Sequence, residues 1–136
     1  MQFNFNENAA AVLKLMAHES RRLGDDYVCS EHLLLAALQS TPKNLLNSLS
    51  ISQARLIERV EQRLAHRRLE IDHVLTPGCQ TPHVKRAIIN SQQRATAENR
   101  AVEVRDIWHS LLQDEICVEL LREFGLNPIE LVSHLS

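Results

Sequence analysis

Nine residues, Ser30-Glu31-His32-Leu33-Leu34-Leu35-Ala36-Ala37-Leu38, constrain this chain more than any other stretch. Successive side chains of an α-helix point about 100° apart, so Leu33, Leu34, Leu35, Ala37 and Leu38 cover most of the circumference with apolar groups. A helix of this kind is expected to be nearly surrounded by other helices and not to lie on a surface. Ser30 is the expected N-cap, its hydroxyl accepting from the free amides of the first turn, and Glu31 then sits well at the positive end of the helix.

The second half carries a weaker copy of this stretch. Placing Val28 on Val102 and Leu33 to Leu38 on Ile107 to Leu112 matches four of six positions as apolar, with Leu35/His109 and Ala36/Ser110 as the mismatches. With a one-residue adjustment the pairing continues downstream, Leu45-Leu46 on Leu120-Leu121, Leu49 on Phe124 and Leu56-Ile57 on Leu131-Val132, and upstream with Val12-Leu13 on Ala87-Ile88. A match sustained over half a chain is the mark of one supersecondary unit used twice, each copy burying the face of the other. The expected organisation is repeat one at 5–67, a linker at 68–80 and repeat two at 81–136.

A chain of 136 residues is one domain in size and large enough to bury a core without staples. Three glycines and four prolines suit helices better than a sandwich or barrel, whose turns need more of both. A net charge of -2 supplies no general attraction for nucleic acid or anionic lipid. No apolar run is long enough to span a bilayer and the N-terminus lacks the features of a signal peptide, so the expected address is the cytoplasm. Cys29, Cys79 and Cys117 are odd in number and widely spaced, which fits reduced thiols; Cys29 and Cys117 read as core, and Cys79 as the exposed one.

Start and stop signals divide each half into four helices. Asn6 caps a first helix that stops at Gly24, and the apolar helix follows. Thr41-Pro42 opens a short third helix, and Ser52 caps a fourth. Thr76-Pro77-Gly78 is a turn in the linker. Thr81-Pro82 then opens a long helix to about Asn99, the copy of the apolar helix starts near Arg105, Gly125 ends the seventh, and Asn127-Pro128 opens the eighth. The expected fold is all-α, two tandem four-helix repeats packed as a pseudo-twofold eight-helix domain.

Several of these residues together resemble a known family. Phe5-Asn6-Glu7 before a long helix, Arg22-Leu23-Gly24 ending it, Ser30-Glu31-His32-Leu33-Leu34-Leu35 opening the next, and Thr81-Pro82 opening the second repeat are similar to the repeat motif of the N-terminal domains of Clp (Hsp100) unfoldase ATPases, of the ClpA and ClpC kind. In the second repeat Glu103-Val104-Arg105-Asp106 stands where ClpC has a second Thr-Glu-His. The resemblance implies a domain that performs no chemistry and takes no cofactor, but docks adaptor proteins or substrate polypeptides for a Clp ATPase ring or Clp protease complex. Gly24, Gly78 and Gly125 do not have the spacing of a P-loop, so the ATPase activity of such a system is not expected here. The chain is then either the front piece of a longer Clp ATPase or a free-standing accessory protein.

The resemblance also implies site residues. Some ClpC-type domains bind phosphorylated arginine, with the Glu of Thr-Glu-His taking the guanidinium and a Thr at a helix start taking the phosphate, a division that suits a carboxylate and a helix N-terminus respectively. Here Glu31 keeps the carboxylate while Asn6 replaces the Thr; in the second repeat Thr81 is kept while Arg105 or Asp106 occupies the carboxylate region. A second candidate surface is a stripe of arginines at four-residue intervals, Arg55, Arg59, Arg63 and Arg67, suited to an acidic partner. A rival reading is a small helical enzyme or ligand sensor that uses Glu31 and His32 in a cleft between the repeats. The remaining histidines have no ligand spacing, and no metal site is expected.

Overall fold

The structure is a computed structural model and describes residues 5–25, 27–41, 46, 52–70, 79–127, 130–131 and 133. Among these, six helices are complete: α1 (Glu7–Arg22), α2 (Ser30–Ser40), α3 (Gln53–Glu70), α4 (Pro82–Ala97), α5 (Val104–Leu111) and α6 (Glu115–Glu123). The expected third and eighth helices fall mostly outside the described residues; Leu46, Glu130, Leu131 and Ser133 are helical. The turn at Thr76-Pro77-Gly78 and the side chain of Cys79 also lie outside them. α3 runs to Glu70, past the expected end of repeat one at 67.

The expectation for α2 is met in full. Every side chain from Leu33 to Leu38 is 0% exposed, and the helix packs against α1, α3, α4, α5 and α6. α5 is its counterpart, with Ile107, Trp108 and Leu111 buried where α2 has Leu33, Leu34 and Ala37. One apolar core runs through both halves, from Val12 and Met16 of α1 through α2 and α3 to Val84, Trp108 and Leu121.

The two halves share backbone devices as well as apolar positions. α1 ends in a left-handed Gly24 (φ 73°), whose amide donates to the Arg21 carbonyl, while the amide of Asp25 reaches back to Ser20 at 2.9 Å. α4 ends in the same way, with Asn99 (φ 54°) in the glycine's place and the amide of Arg100 on the Ala95 carbonyl at 3.1 Å. These are Schellman terminations, which pair the last free carbonyls of a helix. Asparagine tolerates the left-handed region better than most residues, which explains how the second copy manages without glycine.

Two short parallel pairings, not expected from the sequence, join the halves. Tyr27–Val28 (β1) pairs with Cys79–Gln80 (β2), and Phe5 pairs with Val102. Each continues into a helix start of the opposite repeat: the Thr81 amide donates to the Val28 carbonyl at 2.9 Å, and the Asn6 amide to the Val102 carbonyl at 2.8 Å. The pairings are reciprocal, each repeat lending the segment before its first helix to the segment before the other's second.

Leu34→Asp puts an unpaired charge into a fully enclosed helix and is expected to cost on the order of 4 kcal/mol, read as a fall in Tm. Gly24→Ala meets no steric neighbour at its Cβ, so its expected cost of about 1 kcal/mol comes from the left-handed backbone alone. In the same chemical denaturation series Asn99→Gly is expected to stay within about 0.5 kcal/mol of wild type.

Candidate functional site

The first turn of α2 is buried in its entirety: Ser30, Glu31 and His32 are each 0% exposed. The cap is Cys29, not Ser30, which is the first residue inside the helix. His32 makes the difference. Its Nδ1 accepts from the Cys29 backbone N–H at 3.0 Å, so the ring proton is on Nε2, which donates to Asp25 Oδ2 at 2.8 Å. The Cys29 Sγ lies 3.3 Å from the same Nδ1. Cysteine, imidazole and carboxylate are thus lined up in the order of a hydrolase triad, but the thiol and the ring are wholly buried and the amide occupies Nδ1. The arrangement fastens the α1–α2 loop onto the start of α2.

The same place in the second repeat is fastened with donor and acceptor exchanged between loop and helix. Asp106, third in α5 as His32 is third in α2, accepts from the Glu103 backbone N–H at 2.8 Å. Its partner from the preceding loop is Arg100, through Nη1 to Oδ2 and Nη2 to Oδ1, the latter at 2.7 Å, and Arg94 Nε lies 3.2 Å from Oδ1. Burial alone would raise the Asp106 carboxyl; Arg100, the Glu103 amide and Arg94 outweigh it and hold the group below its ordinary value. His109, one turn along, is pushed down by partial burial and by the same Arg94.

The residues of the expected phospho-arginine site are regrouped by the crossed pairings. Thr81 hydrogen-bonds to the residue two before Ser30, which brings it to the α2 start that carries Glu31, whereas Asn6 is held at Val102, beside the α5 start that carries Arg105. Helix starts of opposite copies are thus joined through their backbones, Thr81 to the strand before α2 and Asn6 to the segment before α5. Asn6 Oδ1 is taken up as the α1 cap, accepting from Ala9 N–H at 2.8 Å. Thr81 is buried at the start of α4 and its Oγ1 has no hydrogen-bond partner among the described residues. Glu31 accepts from Ser30 Oγ at 3.2 Å within the core. Near it the Cys117 thiol of α6 is pushed well up by burial, with Asp114 and Glu31 adding to the effect, and it contacts the Ser30 carbonyl.

The arginine stripe is interrupted. Arg59 is committed within the protein, its Nε and Nη2 donating to the two oxygens of Glu123 on α6 at 2.9 and 3.3 Å. Arg55 is exposed and Arg63 half-buried, and the side chain of Arg67 lies outside the described residues. What the sequence presented as one surface is therefore partly a clasp between the repeats.

An open cleft lies elsewhere, within the second repeat. A cleft of about 450 Å³ is lined by His83, Arg86 and Asn90 of α4 on one side and by Ser110, Gln113 and Glu115 around the α5–α6 turn on the other. Buried Ser91 and Ser110 draw the two helices together beneath it, their hydroxyls 3.0 Å apart. Asp114 shapes the far wall by capping α6, Oδ1 accepting from the amides of Ile116 and Cys117 at 3.0 and 3.2 Å, while Oδ2 stands 3.6 Å from His83 Nδ1. Glu31 and His32 do not line this cleft. Sequence reading did not reach it, although Ile89 sits out of phase with the buried Val84, Ala87 and Ser91 of α4, a mismatch visible in the periodicity.

No protein-family model matches the chain, and no curated protein does. Solved structures do. The N-terminal domain of the caseinolytic protease-associated chaperone ClpD from Arabidopsis thaliana superposes with a TM-score of 0.75 at 20% identity, over 98% of this chain and 94% of that one. The Hsp104 N-terminal domain from Candida albicans gives 0.78 at 12% identity, over 96% and 88%. A structure from a malarial protein secretion system gives 0.74 at 18%, over 97% and 91%. The chain has the fold of the Clp and Hsp104 N-terminal domains.

If the Asp106 lock contributes as described, Asp106→Asn is expected to cost about 2 kcal/mol or more. The pH dependence has a definite sign: a folded value below the unfolded one stabilises fully above the ordinary aspartate range and is lost as pH falls through the folded value. Urea denaturation of wild type and Asp106→Asn across that range is expected to show the difference between them shrinking as the solution is acidified.

Proposed function

From a chain that takes the Clp N-terminal-domain fold along nearly its whole length, we propose a protein-interaction domain that docks adaptor proteins or substrate polypeptides for a Clp unfoldase or protease system, without chemistry of its own. The observation that carries this reading is the extent of the likeness: the whole two-repeat unit, and not a single helical hairpin, is shared with the N-terminal domains of ClpD and Hsp104. The cleft supports it. Its lining combines apolar groups, Ala87 and Ile116, with side chains of both charges and opens at the surface, as suits a docking site, while Glu31 and His32, on which the enzyme or sensor reading rests, are enclosed in the core. No helix of the described residues is long and apolar enough to cross a membrane, and the proposed setting is the cytoplasm.

The test is affinity capture from the source lysate with wild-type protein and with Arg86→Glu, followed by mass spectrometry. Clp ATPase subunits, their adaptors or unfolded clients are expected with the wild type, and their depletion with Arg86→Glu is expected if they dock at the cleft. Recovery of none of these by the wild type would remove the proposal.

A further inference from the structure

The outward face of α4 carries features that a general docking role leaves unused. Lys85 and Arg86 are both exposed, and neither takes part in an ion pair among the described residues. Ile89, 49% exposed, is the large hydrophobic side chain left open to solvent among the described residues. Positions 85, 86, 89 and 93 lie three and four apart and share one side of the helix, with Gln93 exposed as well. A lone exposed isoleucine would need no explanation. Here it stands one turn along the helix from both Lys85 and Arg86, and Arg86 also lines the cleft.

The charge around Ile89 selects the partner. The carboxylates that line the cleft are on its far wall: Asp114 is 9% exposed with its oxygens turned to the α6 amides and to His83, which leaves Glu115 as the exposed acid of that lining. The outward face of α4 beside the cleft is therefore cationic with an apolar centre. A basic segment would be repelled by Lys85 and Arg86. A nucleic acid would offer nothing to cover Ile89, and the net charge of -2 disfavours a polyanion.

We propose that the outward face of α4, with the adjoining cleft, docks an acidic amphipathic polypeptide segment, an apolar side chain covering Ile89 while carboxylates take Lys85 and Arg86. This rests on the docking reading and names the chemistry of the partner at that site.

The test is an NMR titration of the full chain, following backbone amides, with a short synthetic peptide that places Leu on one side and Glu on the other. Three controls accompany it: the same peptide with Lys for Glu, the same with Ser for Leu, and single-stranded DNA of matched charge. Shifts are expected to cluster on α4 between Lys85 and Gln93. The double variant K85E/R86E is expected to weaken binding roughly tenfold or more, and Ile89→Ser roughly severalfold. Both variants change exposed side chains, and their unperturbed amide spectra away from α4 report that the fold is intact. Shifts centred on another element, no shifts at all, equal binding of the Lys peptide or the DNA, or unchanged affinity in both variants would each overturn the proposal. Repeating the lysate capture with these variants separates the two readings. Equal recovery of Clp components by wild type and variants leaves the docking reading standing and defeats this one. Peptide binding as described without any Clp component in the capture defeats the docking reading and leaves the surface chemistry.

Discussion

A helix with no outward face forces the structure around it. Because α2 is enclosed by five others, its first turn enters the core together with its apolar run, and the polar groups there must find partners without water. The Asp25–His32 pair and the Cys29 amide meet this demand, and in doing so they set the path of the loop that brings Tyr27 and Val28 to the other repeat. The second repeat faces the same geometric problem and solves it with the donor on the loop and the acceptor on the helix, Arg100 to Asp106, where the first has His32 donating from the helix to Asp25 of the loop. The common element is a contact between the residue after a Schellman turn and the third residue of the next helix. Its chemistry is exchangeable, which is one reason that two copies of a unit can diverge in composition while keeping one backbone.

The features legible in the sequence are those set by neighbours along the chain. Asn6 caps α1, Gly24 ends it, Thr81-Pro82 opens α4, and the apolar positions of α2 are the core, because caps, turns and periodicity act over a few residues. The cap of α2 was placed one residue late because Ser30 is the better cap by propensity, whereas tertiary contacts of His32 decide the matter. Arg59 looked like one of four equivalent surface arginines until Glu123, far away in sequence, claimed it. The two-residue strands lie below the length at which alternation can be recognised at all.

The site was the least legible part, for a related reason. Resemblance pointed to Asn6, Glu31 and Thr81, and the sequence alone grouped them by repeat; the crossed pairings group them by space. The cleft of His83, Arg86, Asn90 and Gln113 needs α4 and the α5–α6 turn to be placed together, which depends on the close approach at Ser91 and Ser110. A pair of small residues at that crossing carries little weight in a reading for charge or motif. Yet it determines how deep the groove between those helices can be.

The reciprocal pairings also bear on how the protein is made. Phe5 and Asn6 are synthesised well before their partner Val102, and Val28 waits likewise for Gln80 and Thr81. Local helices can form as they appear, but Phe5 and Asn6 have no partner to settle against until Val102 is outside the exit tunnel. The first repeat is thus an apolar, incomplete body during much of translation, and its protection in that interval depends on whatever else is bound to the nascent chain.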